Sequence, residues 1–509
     1  MSSSTIDCLE SLATSNRPPS SQESSVAEEC LQPWDQKLRD VDSQIAALEH
    51  ELEDLKAQRS IIEKERNRYT DMLSARRLLP PEIIGRFMEL ACVDDTESQS
   101  SGAYGQVLSF MLVSREWYRT ACGVAHFWNK LSMDLTNSSA EDTQEIILKA
   151  SNQSERAAEL PLSLNIAFSA VLSTNSRVVD FIHSLVPRLE VLALRIQVDS
   201  ISDLQILDTL FHNPPSSSAN ALVWPTLHTL QISIQSEPEH LITAESELSF
   251  PLASFPLLTT AAISSPNVSF TSYQILWVNL LKLDLGPLPE LEPQQYISML
   301  GKCTNLRSLH LHTQHEIDGN QLPVTTLPHL THLHVKSSDP HDMGRILSSL
   351  KLPSLQSCIY TVSHPGYYYY LSIVCRLTEL FQRSGCSESM EYLELDLSHG
   401  TFSSSRTLSD LLLQVPHLTV LKLSGYKMEE DALKDIPRSV RELSICLSYY
   451  RIDDARKAFV NYLNSRFASS DVPVKARLHL VDSAFTVPIR QRIATLKNSV
   501  GSPLDVVMD

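Results

Sequence analysis

Residues 280–285 read Leu-Leu-Lys-Leu-Asp-Leu, residues 306–311 read Leu-Arg-Ser-Leu-His-Leu, and residues 330–335 read Leu-Thr-His-Leu-His-Val. In each hexapeptide the first, fourth and sixth positions are apolar, and a polar residue separates the last two. The final alternation is typical of a short strand with one face buried and one face in water. The three segments therefore predict three short strands with the same orientation toward a common core.

The same pattern recurs along most of the chain beyond residue 160. Its starts lie 22 to 38 residues apart, a range that overlaps the 20–29 residues of leucine-rich repeats, and the array resembles that class. The Asn that usually closes each repeat is missing, so we expect uneven repeats. The clear copies begin at Leu189, Leu227, Leu280, Leu306, Leu330, Met390, Leu418 and Val440, and weaker copies begin at Leu258 and Leu355.

The resemblance implies an α/β fold, an irregular leucine-rich-repeat solenoid over residues 126–485 with parallel strands and convex helices. Trp128, Leu131 and Met133 are candidates for the entry strand. Residues 486–509 are expected to form a C-terminal cap or tail. An open α/β sheet is the alternative, and it predicts fewer and more evenly apolar strands.

The residue between the last two apolar positions of each copy is expected to lie on the concave surface, which suits a protein ligand. His310 and His334 should then lie on neighbouring strands, and we expect them to be solvated surface side chains. The predicted outward residues are Ala193, Gln231, Asp284, His310, His334, Glu394, Lys422 and Ser444, flanked by Arg195, His312, Lys336, Asp396 and Ser424. Two groups are predicted to bind cargo: His310, His312, His334 and Lys336, and Glu394, Asp396 and Lys422.

The N-terminal part of the chain divides into two segments of different composition. Residues 1–33 are rich in Ser and poor in large apolar residues, which predicts disorder. Residues 34–77 carry apolar side chains at alternating steps of three and four from Leu38 to Leu73, interrupted only by Arg59 and Arg66. This heptad pattern predicts a long helix. The helix either pairs with a second copy of the chain or packs on the chain's own domains.

Residues 78–125 have a different pattern, with Pro80 and Pro81 opening a short apolar helix and a second apolar block following a polar loop. Two blocks of this segment resemble an F-box: Leu-Pro-x-Glu-Ile-Ile at residues 79–84 and Leu-Val-Ser-Arg-x-Trp at residues 112–117. Trp128 matches the aromatic residue that closes the motif. The loop from Val93 to Gly105 is longer than in compact F-boxes.

The resemblance implies that the chain is the substrate-recognition subunit of a Skp–cullin–F-box type ubiquitin ligase. The F-box would bind the Skp adaptor and, through it, a cullin, while the repeats hold an unknown target protein. The alternative is a repeat-based interaction scaffold that acts outside any ligase. The implied adaptor contacts are Leu79, Pro80, Ile83, Ile84, Phe87, Leu112 and Val113.

Composition argues against several other classes of protein. The net charge of −18 and the lack of basic runs disfavour nucleic-acid and membrane binding. Nine scattered cysteines without a C-x-x-C pair predict no zinc site and no disulfide framework. No signal peptide is visible, so we expect a cytoplasmic or nuclear protein. The sequence contains none of the common catalytic or nucleotide-binding motifs, so we predict no enzyme activity, no cofactor and no metal.

Overall fold

The computed structural model describes residues 18–73, 79–92, 102–169, 175–198, 205–211, 223–236, 255–264, 277–286, 293–313, 322–337, 340–362, 370–397, 405–425, 435–447 and 475–480. The predicted tail at 486–509 lies outside these ranges, as do residues 1–17 of the predicted disordered segment. The chain divides into two compact units, residues 1–91 and residues 92–509. The boundary falls inside the segment predicted to form one helical module.

The first unit contains the predicted long helix, α1, which runs from Ser21 to Met72. It begins 13 residues before the predicted start at residue 34, so the prediction of disorder is wrong for residues 21–33. The reason is a capping box, in which the Ser20 amide donates to the Glu23 carboxylate at 2.8 Å and the Glu23 amide donates to the Ser20 hydroxyl at 3.3 Å. The helix continues through Pro33, although proline lacks the amide of one helical hydrogen bond.

Short helices follow α1 in the chain. Helix α2 spans Pro81–Cys92 and starts with proline, where the missing amide costs nothing. In the second unit, α3 spans Gly102–Met111 and α4 spans Arg115–Gly123. The Ser114 hydroxyl caps α4 by accepting from the Trp117 amide at 3.3 Å. A short 3₁₀ helix, Ala125–Phe127, then leads into the first strand.

A 13-stranded parallel sheet forms the body of the second unit, which confirms the predicted α/β class with a long N-terminal helix. Each strand pairs with the next one along the chain, apart from two short strands, β8 (Thr325–Thr326) and β10 (Leu350–Lys351), which pair with each other. The strands of the large sheet are β1 (Lys130–Leu135), β2 (Leu162–Ser169), β3 (Leu189–Val198), β4 (Thr229–Ser236), β5 (Thr260–Ser264), β6 (Lys282–Leu285), β7 (Ser308–Thr313), β9 (His332–Ser337), β11 (Ser357–Val362), β12 (Tyr392–Leu397), β13 (Val420–Gly425), β14 (Glu442–Leu447) and β15 (Lys475–Leu480).

Every hexapeptide copy, clear or weak, ends in one of these strands, as does the predicted entry segment. The pattern locates the strands because its fourth-position residues stack in register as one buried row. Leu283, Leu309 and Leu333 are successive register partners, and each is at most 1% exposed. Sequence reasoning did not delimit β2 and β15. Strand β2 carries a strict alternation of buried and half-buried residues that the hexapeptide search did not use.

Helices between the strands cover the buried side of this part of the chain. They are α5 (Ala140–Arg156), α6 (Asn175–Leu185), α7 (Gln205–Phe211), α8 (Pro293–Lys302), α9 (Pro340–Ser348), α10 (Tyr370–Ser384) and α11 (Ser405–Leu413). Neighbouring helices pack on each other, as α9 and α10 do. Among the described residues, no helix combines the length and the apolar character needed to cross a membrane.

An arginine on α10 ties this helix to the end of α9. The Arg383 guanidinium donates to the carbonyl of Leu347 at 2.7 Å and to the carbonyl of Leu350 at 2.9 and 3.0 Å. Burial lowers the pKa of Arg383 from its ordinary value. Both carbonyls belong to fully buried residues, so no other group replaces these bonds easily.

We expect Arg383→Met to lower the free energy of unfolding by about 2 kcal/mol, because charge-assisted bonds to buried carbonyls are lost while the apolar stem is kept. Urea unfolding of the full chain measures this change. Arg376→Met on the same helix is the control, because Arg376 forms an exposed ion pair with Glu379 and should contribute less than about 1 kcal/mol. Equal effects of the two substitutions would contradict the role assigned to Arg383.

Candidate functional site

Helix α2 carries several of the residues predicted to bind an adaptor, and it presents them unequally. Ile83 and Phe87, one helical turn apart, are each 53% exposed. Ile84 is 1% exposed and packs in the core of the chain, so of the two isoleucines Ile83 is the one whose side chain faces solvent. Both isoleucines fit the sequence pattern, but only packing decides which one faces solvent.

A second exposed apolar pair lies in the turn between α3 and α4. Leu112 is 88% exposed and Val113 is 57% exposed. The nearby Trp117 ring packs against Phe110 with a centroid distance of 5.9 Å, which anchors the start of α4 beside this turn. The two side chains are exposed next to each other, and adjacent exposed apolar residues can form a binding patch, so the pair is a candidate docking point.

Trp128 has a structural role and offers no docking surface. It is 2% exposed, and its indole N–H donates to the Ala121 carbonyl on α4 at 2.9 Å. The Arg156 guanidinium lies 4.7 Å from the ring centre. The side chain therefore joins α4, the end of α5 and the entry to β1.

The residues predicted to lie between the last two apolar positions of each copy form a single row across the sheet. We call the side of the sheet that carries this row the polar face. Consecutive members are register partners on neighbouring strands, and the row continues through Ala262 on β5 and Ile359 on β11. It runs Asn165, Ala193, Gln231, Ala262, Asp284, His310, His334, Ile359, Glu394, Lys422 and Ser444.

The histidine group lies near the middle of this row. His310 and His334 are on adjacent strands, as predicted, and their rings stack in parallel with centroids 4.1 Å apart. The Asp284 carboxylate is 3.0 Å from Nδ1 of His310. All three side chains are half-buried, so they form one interacting cluster and are not independently solvated.

The two neighbours of His310 have depressed pKa values. Burial lowers the pKa of His312 to about 4, and the Lys336 ammonium acts in the same direction. Burial, followed by the effect of His310, also lowers the pKa of His334. These two imidazoles are therefore neutral at pH 7, whereas the Lys336 ammonium offers a ligand a positive charge.

The second predicted group is an ordered charge network on β12 and β13. The Tyr392 hydroxyl donates a short hydrogen bond to the Glu394 carboxylate. The Lys422 ammonium is 3.4 Å from the same carboxylate and lies over the Tyr392 ring, 5.1 Å from its centre. A hydrogen bond with the Tyr392 side chain raises the pKa of Lys422. Only β11 separates this network from the histidine group, so the two predicted patches are parts of one surface.

Sequence reasoning missed a cavity of about 320 Å³ on the same face, over β2–β6. Small side chains form its floor, and Arg195 and Asp284 supply its charges. At Gly286 an added Cβ would lie 2.5 Å from Cβ of Ser264, so only glycine fits there. The small lining residues are Ser163, Ala193, Ser233, Ala262, Ser264 and Gly286. The sequence contains these small residues at outward positions. Only the register of the strands shows that they lie side by side and line a cavity.

Within the described ranges, no three His, Cys, Asp or Glu residues lie close enough together to hold a metal ion. The cysteines in those ranges are free thiols. Comparison with known protein families gave no matching family model, and comparison with curated proteins gave no match either. A functional assignment therefore has to come from the chain's own residues.

Proposed function

We propose that the chain is the substrate-recognition subunit of a Skp–cullin–F-box type ubiquitin ligase, acting in the cytoplasm or nucleus. The main support is the exposure of large apolar side chains in the two segments that resemble an F-box. Ile83 and Phe87 on α2, and Leu112 and Val113 after α3, are all at least 53% exposed. Apolar side chains exposed side by side in a segment that resembles a binding motif are suited to act as anchors for a protein partner.

Within this proposal the polar face of the sheet holds the target protein, as in a leucine-rich-repeat solenoid. Parallel strands lie about 4.8 Å apart, so the stretch from β7 to β13 offers a continuous surface roughly 20 Å wide. Together with the cavity over β2–β6, that surface can approach the roughly 800 Å² per partner of a stable interface. Most side chains in the row on this face are polar, and they carry charges of both signs, which suits a protein ligand.

The proposed subunit contributes proximity and orientation, and transfer of ubiquitin is carried out by other subunits. Affinity purification of the full chain, followed by mass spectrometry, tests this directly. We expect a Skp adaptor and a cullin among the most abundant recovered proteins. Recovery of other partners without either of these two would instead support a scaffold that works outside a ligase.

Reversing charges on the polar face should separate target binding from adaptor binding. We expect the triple variant Glu394→Lys, Asp396→Lys and Lys422→Glu to lower recovery of the target at least tenfold, because the Tyr392–Glu394–Lys422 network presents fixed charges to a ligand. Recovery of the adaptor should not change, and quantitative mass spectrometry measures both.

The matched control reverses an exposed ion pair away from this face, with Glu145→Lys and Lys149→Glu on α5. This variant should recover the target normally. Loss of the target in the control, or its full recovery by the polar-face variant, would contradict target binding at this part of the sheet.

A further inference from the structure

Helix α1 carries an apolar stripe that is exposed along its whole length. The stripe begins earlier than predicted, because the helix already includes Leu31 and Trp34. These two residues continue the alternating steps of three and four residues. From Trp34 to Tyr69 the stripe has eleven positions, of which nine are apolar or aromatic. Those nine side chains are 48% to 68% exposed: Trp34, Leu38, Val41, Ile45, Leu48, Leu52, Leu55, Ile62 and Tyr69.

We infer that a second copy of this chain covers the stripe, forming a parallel two-stranded coiled coil through α1. Burying a large apolar side chain removes roughly 60–120 Å² from water. Nine such side chains would together bury about 540–1,080 Å² per helix, a range that includes the roughly 800 Å² per partner of a stable interface. The spacing of 3.5 residues is the one that keeps a seam facing its partner as two helices supercoil.

The charges that flank the seam favour the parallel orientation. In a parallel pair Lys37 of one helix faces Asp42 of the other, and Glu51 faces Lys56, while no flanking positions bring like charges together. In a fully overlapped antiparallel pair, by contrast, Glu51 would face its own copy and Asp35 would face an acidic residue. The flanking charges therefore also identify the partner as an identical helix in the same direction.

Two arginines at seam positions limit the pairing in the C-terminal half of the helix. Arg59 and Arg66 would each face their own copy across a parallel pair. The Arg59 guanidinium is already satisfied within the helix, 2.8 Å from the Glu63 carboxylate, at the edge of the seam. The tightest pairing is therefore expected from Trp34 to Leu55, which is about 30 Å of helix at 1.5 Å per residue.

This inference does not depend on the proposed ligase function. In a dimer two polar faces are tethered to each other, so a target with two binding sites would be held with higher avidity than one chain provides. Loss of dimerisation should accordingly leave adaptor binding intact, and the two proposals can fail separately.

Sedimentation velocity of the full chain over a range of concentrations tests the dimer. We expect a species of twice the 57.0 kDa chain mass, and Leu48→Asp with Leu52→Asp should weaken self-association at least a hundredfold. The matched control, Ala46→Asp with Ala57→Asp, adds the same charge to the outer side of the helix and should remain dimeric. A wild-type chain that is monomeric at 100 µM, or a dimer insensitive to the seam substitutions, would overturn the inference.

A charge swap tests the orientation. Lys37→Glu alone should weaken the dimer, because the introduced carboxylate would face Asp42 of the partner. Adding Asp42→Lys should restore it in a parallel pair, whereas in an antiparallel pair the double variant creates new like-charge contacts and weakens the dimer further. Restoration supports the parallel coiled coil, and further weakening overturns it.

Discussion

Replacing Ile83 and Phe87 by alanine should lower the affinity for a Skp adaptor by about three orders of magnitude without changing the stability of the chain. Truncating one buried interface anchor typically costs about 2 kcal/mol or more, which is roughly thirtyfold in affinity. The two side chains lie one turn apart on α2 and are each 53% exposed, so a partner can bury both at once. Titration calorimetry with purified adaptor and thermal unfolding of the variant measure the two quantities.

Leu148→Ala with Leu413→Ala is the control for this result. These leucines are 58% and 65% exposed on α5 and α11, and neither belongs to the segments that resemble an F-box. The control should bind the adaptor like the wild type. If Ile83 and Phe87 can be removed with no change in affinity, α2 does not bind an adaptor, and the ligase proposal loses its main support.

Ile84 provides the complementary case. Because it is 1% exposed, Ile84→Ala removes a core contact and leaves a cavity, so its first effect is on stability. A weakened adaptor interaction in this variant would carry no information about the interface. The sequence motif alone does not distinguish Ile83 from Ile84, because both residues match it.

The strands were predictable because their signal is local. Each hexapeptide contains both the strand and the alternation that orients it, and identical alternation on every strand leaves one register that buries all the leucines. Asp284, His310 and His334 could therefore be placed in one outward row from their positions alone. The register makes His310 and His334 direct neighbours on adjacent strands, which brings their rings close enough to stack.

Other features depend on interactions that composition does not report. The start of α1 was misplaced because the serine-rich composition of residues 1–33 outweighed a four-residue capping signal at Ser20 and Glu23. The cavity over β2–β6 requires knowing which small residues become neighbours. For α2, the amphipathic pattern was too broad to separate the buried face from the exposed one, because apolar residues occupy most of the helix.

Trp128→Ala should lower the free energy of unfolding of the second unit by about 3–5 kcal/mol, the usual cost of truncating a large buried aromatic residue. The variant also leaves the Ala121 carbonyl without the indole donor that lies 2.9 Å away. Trp128→Phe keeps most of the packing and loses the hydrogen bond, so about 1–2 kcal/mol is expected.

Urea unfolding measures these losses, and hydrogen exchange locates them. Trp128 lies two residues before β1, which is the first strand of the sheet in sequence order. In a sheet built by adding one strand after another, each strand is stabilised mainly by its neighbours, so the damage should spread from this end. Loss of protection should be greatest in β1 and β2 and should decrease toward β13. Trp117→Ala is the comparison, because that ring is half-buried and packs on Phe110, so its loss is expected to cost less than the loss of the fully buried Trp128. Equal effects of Trp117→Ala and Trp128→Ala, or a uniform loss of protection across the sheet, would contradict the role of Trp128 as the residue that fixes this end of the sheet.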